Sequence, residues 1–168
     1  KPLTSQAKAL VHVGTTQVNG TIVLLDREQL QPGDTAPVQL RLDDYVVALG
    51  GDAVVLRGFE LLESFGKTLG GGLIRHPLPR RSRKGQTGRL EALDALRGDD
   101  MALRIEYAAR LSEQAGVPLS AVRQIVMASK AEVAEVADQL VASGQCQKWL
   151  EDGQPHLIHR ESFDELTG

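Results

Sequence analysis

Hydrophobic and polar positions alternate in the first half of the chain and recur at helical spacing in the second. Val38, Leu40 and Leu42 alternate with Gln39, Arg41 and Asp43, and Ala7, Ala9, Val11 and Val13 alternate with Lys8, Leu10 and His12. A period of two marks strands with one buried and one wetted face. Residues 21–25 (Thr-Ile-Val-Leu-Leu) and 53–56 (Ala-Val-Val-Leu) are short apolar runs, and Asn19-Gly20, Pro32-Gly33-Asp34 and Gly50-Gly51-Asp52 supply turn chemistry between strands. No helical period precedes residue 90. Five or six short strands within about 75 residues cannot all hide their edges in an open sheet, so a closed barrel or a sandwich is predicted.

Beyond residue 90 the period changes. Met101, Ile105, Ala108 and Leu111 fall on one helical face, Leu119, Val122 and Val126 on a second, and Val133, Val136, Ala137 and Leu140 on a third. Ser129-Lys130-Ala131-Glu132 has the capping-box spacing that opens the third helix, and Gly144 closes it. Residues 146–151 and 156–159 then read as two strands around Asp152-Gly153-Gln154-Pro155, a hairpin with a loop longer than two residues. Three helices followed by a hairpin is the element order of a winged helix. The predicted fold class is therefore multi-domain, β plus α+β, with a β domain over 1–78, a basic Pro/Arg-rich linker over 79–90 and a winged-helix domain over 91–168.

Composition narrows the function classes. With 168 residues, 42% hydrophobic and 24% charged, the chain is an ordinary folded protein, and no apolar run approaches the ~20 residues that a bilayer-spanning helix needs, so no membrane partner is expected. The net charge of −3 conceals an uneven distribution. Residues 1–78 carry seven Lys/Arg against eight Asp/Glu, residues 79–90 five cations and no carboxylate, and residues 91–168 seven cations against fourteen carboxylates. A basic strap thus joins a near-neutral half to an acidic one. The single cysteine, Cys146, rules out an internal disulfide and suits a reducing compartment. The first residue is Lys1, without a signal-peptide pattern behind it, so the chain reads as an excised piece.

Catalytic chemistry is not evident. Gly66-Lys67-Thr68 resembles the end of a phosphate-binding loop, but Leu61 stands where that motif needs its first glycine. Gly70-Gly71-Gly72 reads as a bend or a close backbone approach before it reads as a nucleotide site. His156 and His159, three apart on a strand, project to opposite faces and are poorly placed as a metal pair; no metal ligand set is assigned. His12 and His76 stand alone. Cys146 has no activating neighbour, and Asp43-Asp44 and Asp99-Asp100 sit where turns and helix starts account for them. No catalytic residue is assigned.

Four segments carry a resemblance: residues 13–22 (Val-Gly-Thr-Thr-Gln-Val-Asn-Gly-Thr-Ile), Gln31-Pro32-Gly33-Asp34, residues 51–57 (Gly-Asp-Ala-Val-Val-Leu-Arg) and residues 66–72 (Gly-Lys-Thr-Leu-Gly-Gly-Gly). In order and spacing they resemble the third domain of elongation-factor-Tu-type translational GTPases. The compact loops, the triple glycine and the winged helix behind the linker look most like the bacterial selenocysteine-specific elongation factors. The resemblance implies a six-stranded β-barrel that touches the backbone of aminoacyl-tRNA, followed by the first of several winged helices, the last of which grip a hairpin in selenoprotein mRNA. It implies selenocysteyl-tRNA, the ribosome and that mRNA hairpin as partners of the full-length factor, GTP and Mg in a GTPase domain absent from this chain, and a cytoplasmic location. No cofactor and a monomeric state are expected for the fragment.

The resemblance also places the loop before the glycine-rich strand near the tRNA, which singles out Ser64, Phe65, Gly66, Lys67 and Thr68. Lys67 is the leading candidate, as a flexible cation beside exposed backbone N–H groups can meet phosphate oxygens without reading bases. A solvated lysine is the alternative. Arg57 either supports that surface or pairs with Asp52 or Glu60. In the linker, Arg80, Arg81, Arg83 and Lys84 are candidates for nonspecific RNA contact or simply keep a linker soluble. The third helix of the winged helix is acidic outward, with Glu132, Glu135 and Asp138 against Lys130, and Glu151 and Asp152 stand at the wing tip beside Lys148. That charge opposes use of the helix on RNA or DNA and suggests a spacer. The competing class, a DNA-binding transcriptional regulator with a β-barrel sensor domain, needs a basic helix there.

Overall fold

The computed structural model describes residues 2–62, 66–80 and 87–167. They form two compact units, one built on residues 2–74 and the other on residues 91–167. The first unit contains β1 (Leu3–Thr4), β2 (Ala7–Val13), β3 (Thr16–Leu24), β4 (Gln29–Leu30), β5 (Val38–Leu42), β6 (Ala53–Leu62) and β7 (Gly66–Leu73). All pairings are antiparallel, and the main sheet has the order β5-β3-β2-β6-β7. One face of this sheet buries Ala9, Val11, Val13, Val18, Ile22, Val54 and Leu56 as a single core, with Leu40 and Leu42 packed against it. These are the alternate residues that the period of two selects.

The unit is thus β-rich and antiparallel. Among the described residues, hydrogen bonding groups the strands as five and two, not as one ring of six: β1 and β4 pair separately, and β5 and β7 are the edges of the larger sheet. Pro32 and Pro37, which lack a backbone N–H, bracket the segment between β4 and β5 and keep it out of a ladder. One predicted turn moves. Asn19-Gly20 lies inside β3, where a Cβ on Gly20 would stand 3.0 Å from the Arg41 carbonyl oxygen, so the glycine permits close approach of β5. The reversal falls instead between β2 and β3, where Gly14 takes φ 55°.

The second unit contains α1 (Thr87–Ala95), α2 (Met101–Leu111), β8 (Val117–Pro118), α3 (Leu119–Val126), α4 (Lys130–Ala142), β9 (Cys146–Glu151), β10 (Gln154–His159) and α5 (Arg160–Thr167). Helices α2, α3 and α4 bury the three faces read from periodicity, and β10 lies between β8 and β9. Two helices were not legible: α1, which starts inside the span assigned to the linker and buries Ala92, with Leu96 buried in the turn after it, and α5. Helix α2 opens on Asp100, whose carboxylate accepts from the N–H groups of Ala102 and Leu103 at 2.9 and 3.2 Å. Helix α4 opens on a complete capping box: Ser129 Oγ accepts from the Glu132 N–H, and the Glu132 carboxylate accepts from the Ser129 N–H. Its end is a Schellman turn, in which Gly144 at φ 81° donates to the Val141 carbonyl and Gln145 to that of Leu140.

The hairpin corrects the sequence reading. Its loop is only Asp152-Gly153, both at positive φ (49° and 75°) as a type I′ turn requires, and Gln154 and Pro155 belong to β10. Proline is tolerated because the pair flanking such a turn, Glu151 and Gln154, is the hydrogen-bonded one. The next pair, Leu150 and Pro155, is then non-hydrogen-bonded, and the missing N–H faces away from β9.

Close packing and capping generate three predictions. A Cβ on Gly116, at φ 62°, would overlap the Trp149 ring and stand 3.0 Å from the Leu157 carbonyl oxygen. Gly116→Ala should destabilise the unit by about 1–3 kcal/mol, read as a lowered urea midpoint. Ser129→Ala should cost about 1 kcal/mol in the same assay. Burial, and secondarily the nearby Glu106 carboxylate, pushes the Cys146 thiol up to about 12. Its contribution to stability should therefore be complete below the unfolded thiol's range, near about 8.5, and decline as pH rises toward the folded value. The native chain should also resist alkylation that the urea-unfolded chain undergoes.

Candidate nucleic-acid interface

The residues singled out in the first unit lie on the β6–β7 hairpin. Its register pairs Ala53 with Leu73, Val55 with Gly71 and Leu56 with Gly70; it then slips, so that Arg57 faces Thr68 and Leu62 faces Gly66. The slip admits Leu69 as an extra residue on β7, packed over Gly58. The triple glycine serves a close approach only at Gly71, where a Cβ would stand 2.9 Å from the Val54 carbonyl oxygen; Gly70 and Gly72 face open space.

The structure brings together some of the candidates and separates others. Arg57 and Thr68 are cross-strand partners and both are exposed. Lys67 is exposed too, next to Thr68 and without a cross-strand partner, where the β6–β7 register shifts a second time. Gly66 is the first residue of β7. Ser64, Phe65, Arg81, Arg83 and Lys84 lie outside the described residues. Arg80 is described and exposed. Of the two partners considered for Arg57, Asp52 is engaged elsewhere: its carboxylate accepts from the Leu49 N–H at 2.8 Å.

Charge in the first unit is sorted by element, which its near-zero net charge conceals. The five strands of the main sheet carry Lys8, Arg41, Arg57 and Lys67 and one acidic residue, Glu60. The other carboxylates stand in connections. Asp26 pairs with Arg27 at 2.8 Å, Asp34 lies 4.0 Å from the same arginine, and Asp44 accepts from the Tyr45 N–H. Sequence reasoning passed over Lys8 and Arg41 as the wet positions of their strands. The signal was available: both hold the outward phase of an alternating pattern, and only the register was missing.

The second unit presents the opposite sign. Glu132, Glu135 and Asp138 are exposed along α4, with Lys130 at its start. Hydrogen bonds from the Ser129 side chain and backbone hold the Glu132 carboxyl below its ordinary range, so it is a fixed negative charge. Lys148, which the sequence placed beside the wing tip, pairs with Asp138 instead. At the wing, Glu151 lies 3.3 Å from His156 Nε2, and the His156 ring stacks on Trp149 with centroids 5.3 Å apart. A phosphate approaching α4 meets carboxylates, and the ~8 Å screening length at physiological salt does not remove repulsion at contact.

No arrangement for catalysis emerges among the described residues. No group of three or more His, Cys, Asp or Glu is placed to hold a metal ion. His159 is buried, with Nε2 3.4 Å from Glu106 and Nδ1 3.8 Å from Glu161. The Glu106 carboxylate also accepts from the Gln145 side chain at 3.2 Å, so this cluster ties α2 to the base of the hairpin. No helix of the described residues is long and apolar enough to cross a membrane.

Comparison with known proteins adds one similarity. No protein-family model matches the chain, and no solved structure does. The chain is similar to a selenocysteine-specific elongation factor from Desulfomicrobium baculatum, with 25% identity over 169 residues. The alignment covers 99% of this chain and 25% of that protein, so the chain spans about a quarter of its relative's length and the similarity runs through both units.

Proposed function

We propose that the chain is a non-catalytic part of a selenocysteine-specific translation elongation factor. In this reading residues 1–78 form the closed barrel of such factors and contact tRNA backbone, residues 79–90 are a basic linker, and residues 91–168 are a winged helix. The winged helix acts as a spacer toward distal modules that bind the mRNA hairpin. GTP and Mg belong to a separate GTPase domain, and this chain hydrolyses nothing. Selenocysteyl-tRNA and the ribosome are the partners of the whole factor, in the cytoplasm.

The observation that carries the reading is the separation of charge by element, cations on the strands of the first unit and carboxylates along α4, in a chain similar throughout to a factor of that name. Phosphate backbones are held by cations that displace counterions, and the strands of the first unit offer them with a single carboxylate among them. The acidic α4 weighs against a DNA-binding regulator, which would press that helix into a groove.

Titration of selenocysteine tRNA with the chain tests the reading. Lys67→Ala and Arg57→Ala should each weaken binding and reduce the slope of log K against log salt by about 1. Neutralising Arg80, Arg81, Arg83 and Lys84 together should flatten the slope by about 3–4 if the linker lies on phosphates. An unchanged slope assigns those four to the linker alone. Binding of duplex DNA tighter than the nonspecific range of about 10⁻⁴–10⁻⁶ M would overturn the reading in favour of a regulator.

A further inference from the structure

The outward face of the main sheet has a chemistry beyond the hairpin. Register places Arg41 of β5 opposite Thr21 of β3, and Thr21 opposite Lys8 of β2, in one row across three strands. The next outward row runs from Asn19 through Leu10 and Arg57 to Thr68, across β3, β2, β6 and β7. The third holds Gln17, His12, Val55 and Gly71. All these residues are in the phase opposite to the buried core; Lys8, Gln17, Asn19, Arg57 and Thr68 are exposed, whereas Leu10, His12, Thr21 and Arg41 are half-buried and the adjoining Val23–Gln39 pair is buried. Strands lie ~4.8 Å apart, which sets Arg41 and Lys8 about 10 Å apart at the backbone; Arg57, one strand over from Lys8, is its neighbour along the diagonal.

This surface joins cations to an aromatic ring. Phe59 stands two positions beyond Arg57 on β6 and is 59% exposed, in a chain with only three phenylalanines. Thr21, Asn19, Gln17 and Thr68 interleave hydroxyl and amide groups among the cations. Among the described residues, neither Lys8 nor Arg57 is engaged in an ion pair. A sheet face with cations, neutral hydrogen-bonding groups and an exposed aromatic side chain fits a nucleic acid whose bases are free to leave the stack. The phosphates take the cations, an unpaired base takes the ring, and ribose 2′-hydroxyls find donors and acceptors among the amides and hydroxyls. A duplex could not use the ring, because its bases are already stacked.

We infer that the outward face of the β3-β2-β6-β7 strands binds single-stranded RNA, with Lys8 and Arg57 on phosphates and Phe59 stacked on an unpaired base. The site extends past the hairpin proposed to touch tRNA and does not include Lys67, which has no cross-strand partner on β6.

Fluorescence anisotropy with the 168-residue chain tests it, using mixed-sequence probes of about 12 nucleotides as single-stranded RNA, RNA duplex and single-stranded DNA, between about 50 and 200 mM salt. Phe59→Ala should weaken single-stranded RNA about 10-fold or more while leaving the duplex unchanged, and Phe59→Tyr should retain the affinity. Lys8→Ala and Arg57→Ala should each reduce the salt slope for single-stranded RNA by about 0.7, and Lys67→Ala should leave it unchanged. A change confined to Lys67→Ala would support the tRNA reading and overturn this one. Equal losses on single-stranded RNA and duplex in Phe59→Ala, unchanged slopes in Lys8→Ala and Arg57→Ala, or equal affinity for DNA and RNA would each overturn it as well. An unchanged urea midpoint in each variant shows that the sheet is intact.

Discussion

Antiparallel pairing of β2 with β3 on one side and β6 on the other is the constraint on which the first unit depends. It locks the odd residues of β2 against the core and turns Lys8, Leu10 and His12 outward. Because side chains alternate strictly along a strand, a slip of one residue would exchange the two sets and expose Ala9, Val11 and Val13. Burial of those residues and of Val54 and Leu56 therefore fixes the outward chemistry as well as the core. The cation rows are a by-product of the hydrophobic register. The slip between β6 and β7 matters for the same reason, since it sets Thr68 opposite Arg57 and gives Leu69 no partner of its own.

The second unit is held by a different economy of contacts. Its helices are short, eight to thirteen residues, and such helices are marginal in water without caps and tertiary packing. Asp100 and Ser129 satisfy N–H groups at two helix starts, and the Arg104 guanidinium donates to the Val126 carbonyl at the end of α3 at 2.8 Å. Ile105, Val122, Ile125, Val133 and Leu157 fill the space between them. Trp149 occupies the room left by the missing side chain of Gly116, which joins the hairpin to the turn before β8. The outward side of α4 carries carboxylates, of which Glu132 also caps the helix and Asp138 also pairs with Lys148.

The two units thus differ in what they can offer a polyanion. A lysine or arginine on a sheet face is placed by its neighbours across the strands, whereas the α4 carboxylates repel phosphate whatever the geometry of approach. In the proposed reading this divides recognition from spacing within one chain. Charge totals alone could not express that division, as the first unit is near neutral by count.

Secondary structure was legible wherever it depends on local pattern. Periods of two and 3.6, the Ser129–Glu132 capping box, Gly144 and the Asp152-Gly153 turn each act through neighbours a few residues apart, and the predicted helices and most strands follow from them. Helix α1 escaped notice because only Ala92 and Leu96 commit it to the core, too few for a visible period. The extent of the hairpin loop was misjudged because Pro155 reads as a breaker until its place in a non-hydrogen-bonded pair is known. The amino-acid sequence by itself therefore showed the change from strands to helices, the three central helices and the hairpin after them, and the acidic side of α4, but not α1 or α5. Tertiary structure alone decided that Lys8 and Arg57 lie on one side of the sheet and that Lys148 turns to Asp138. The physical reason is that cross-strand register and ion pairing join residues distant along the chain, and no local period records which distant partner is chosen.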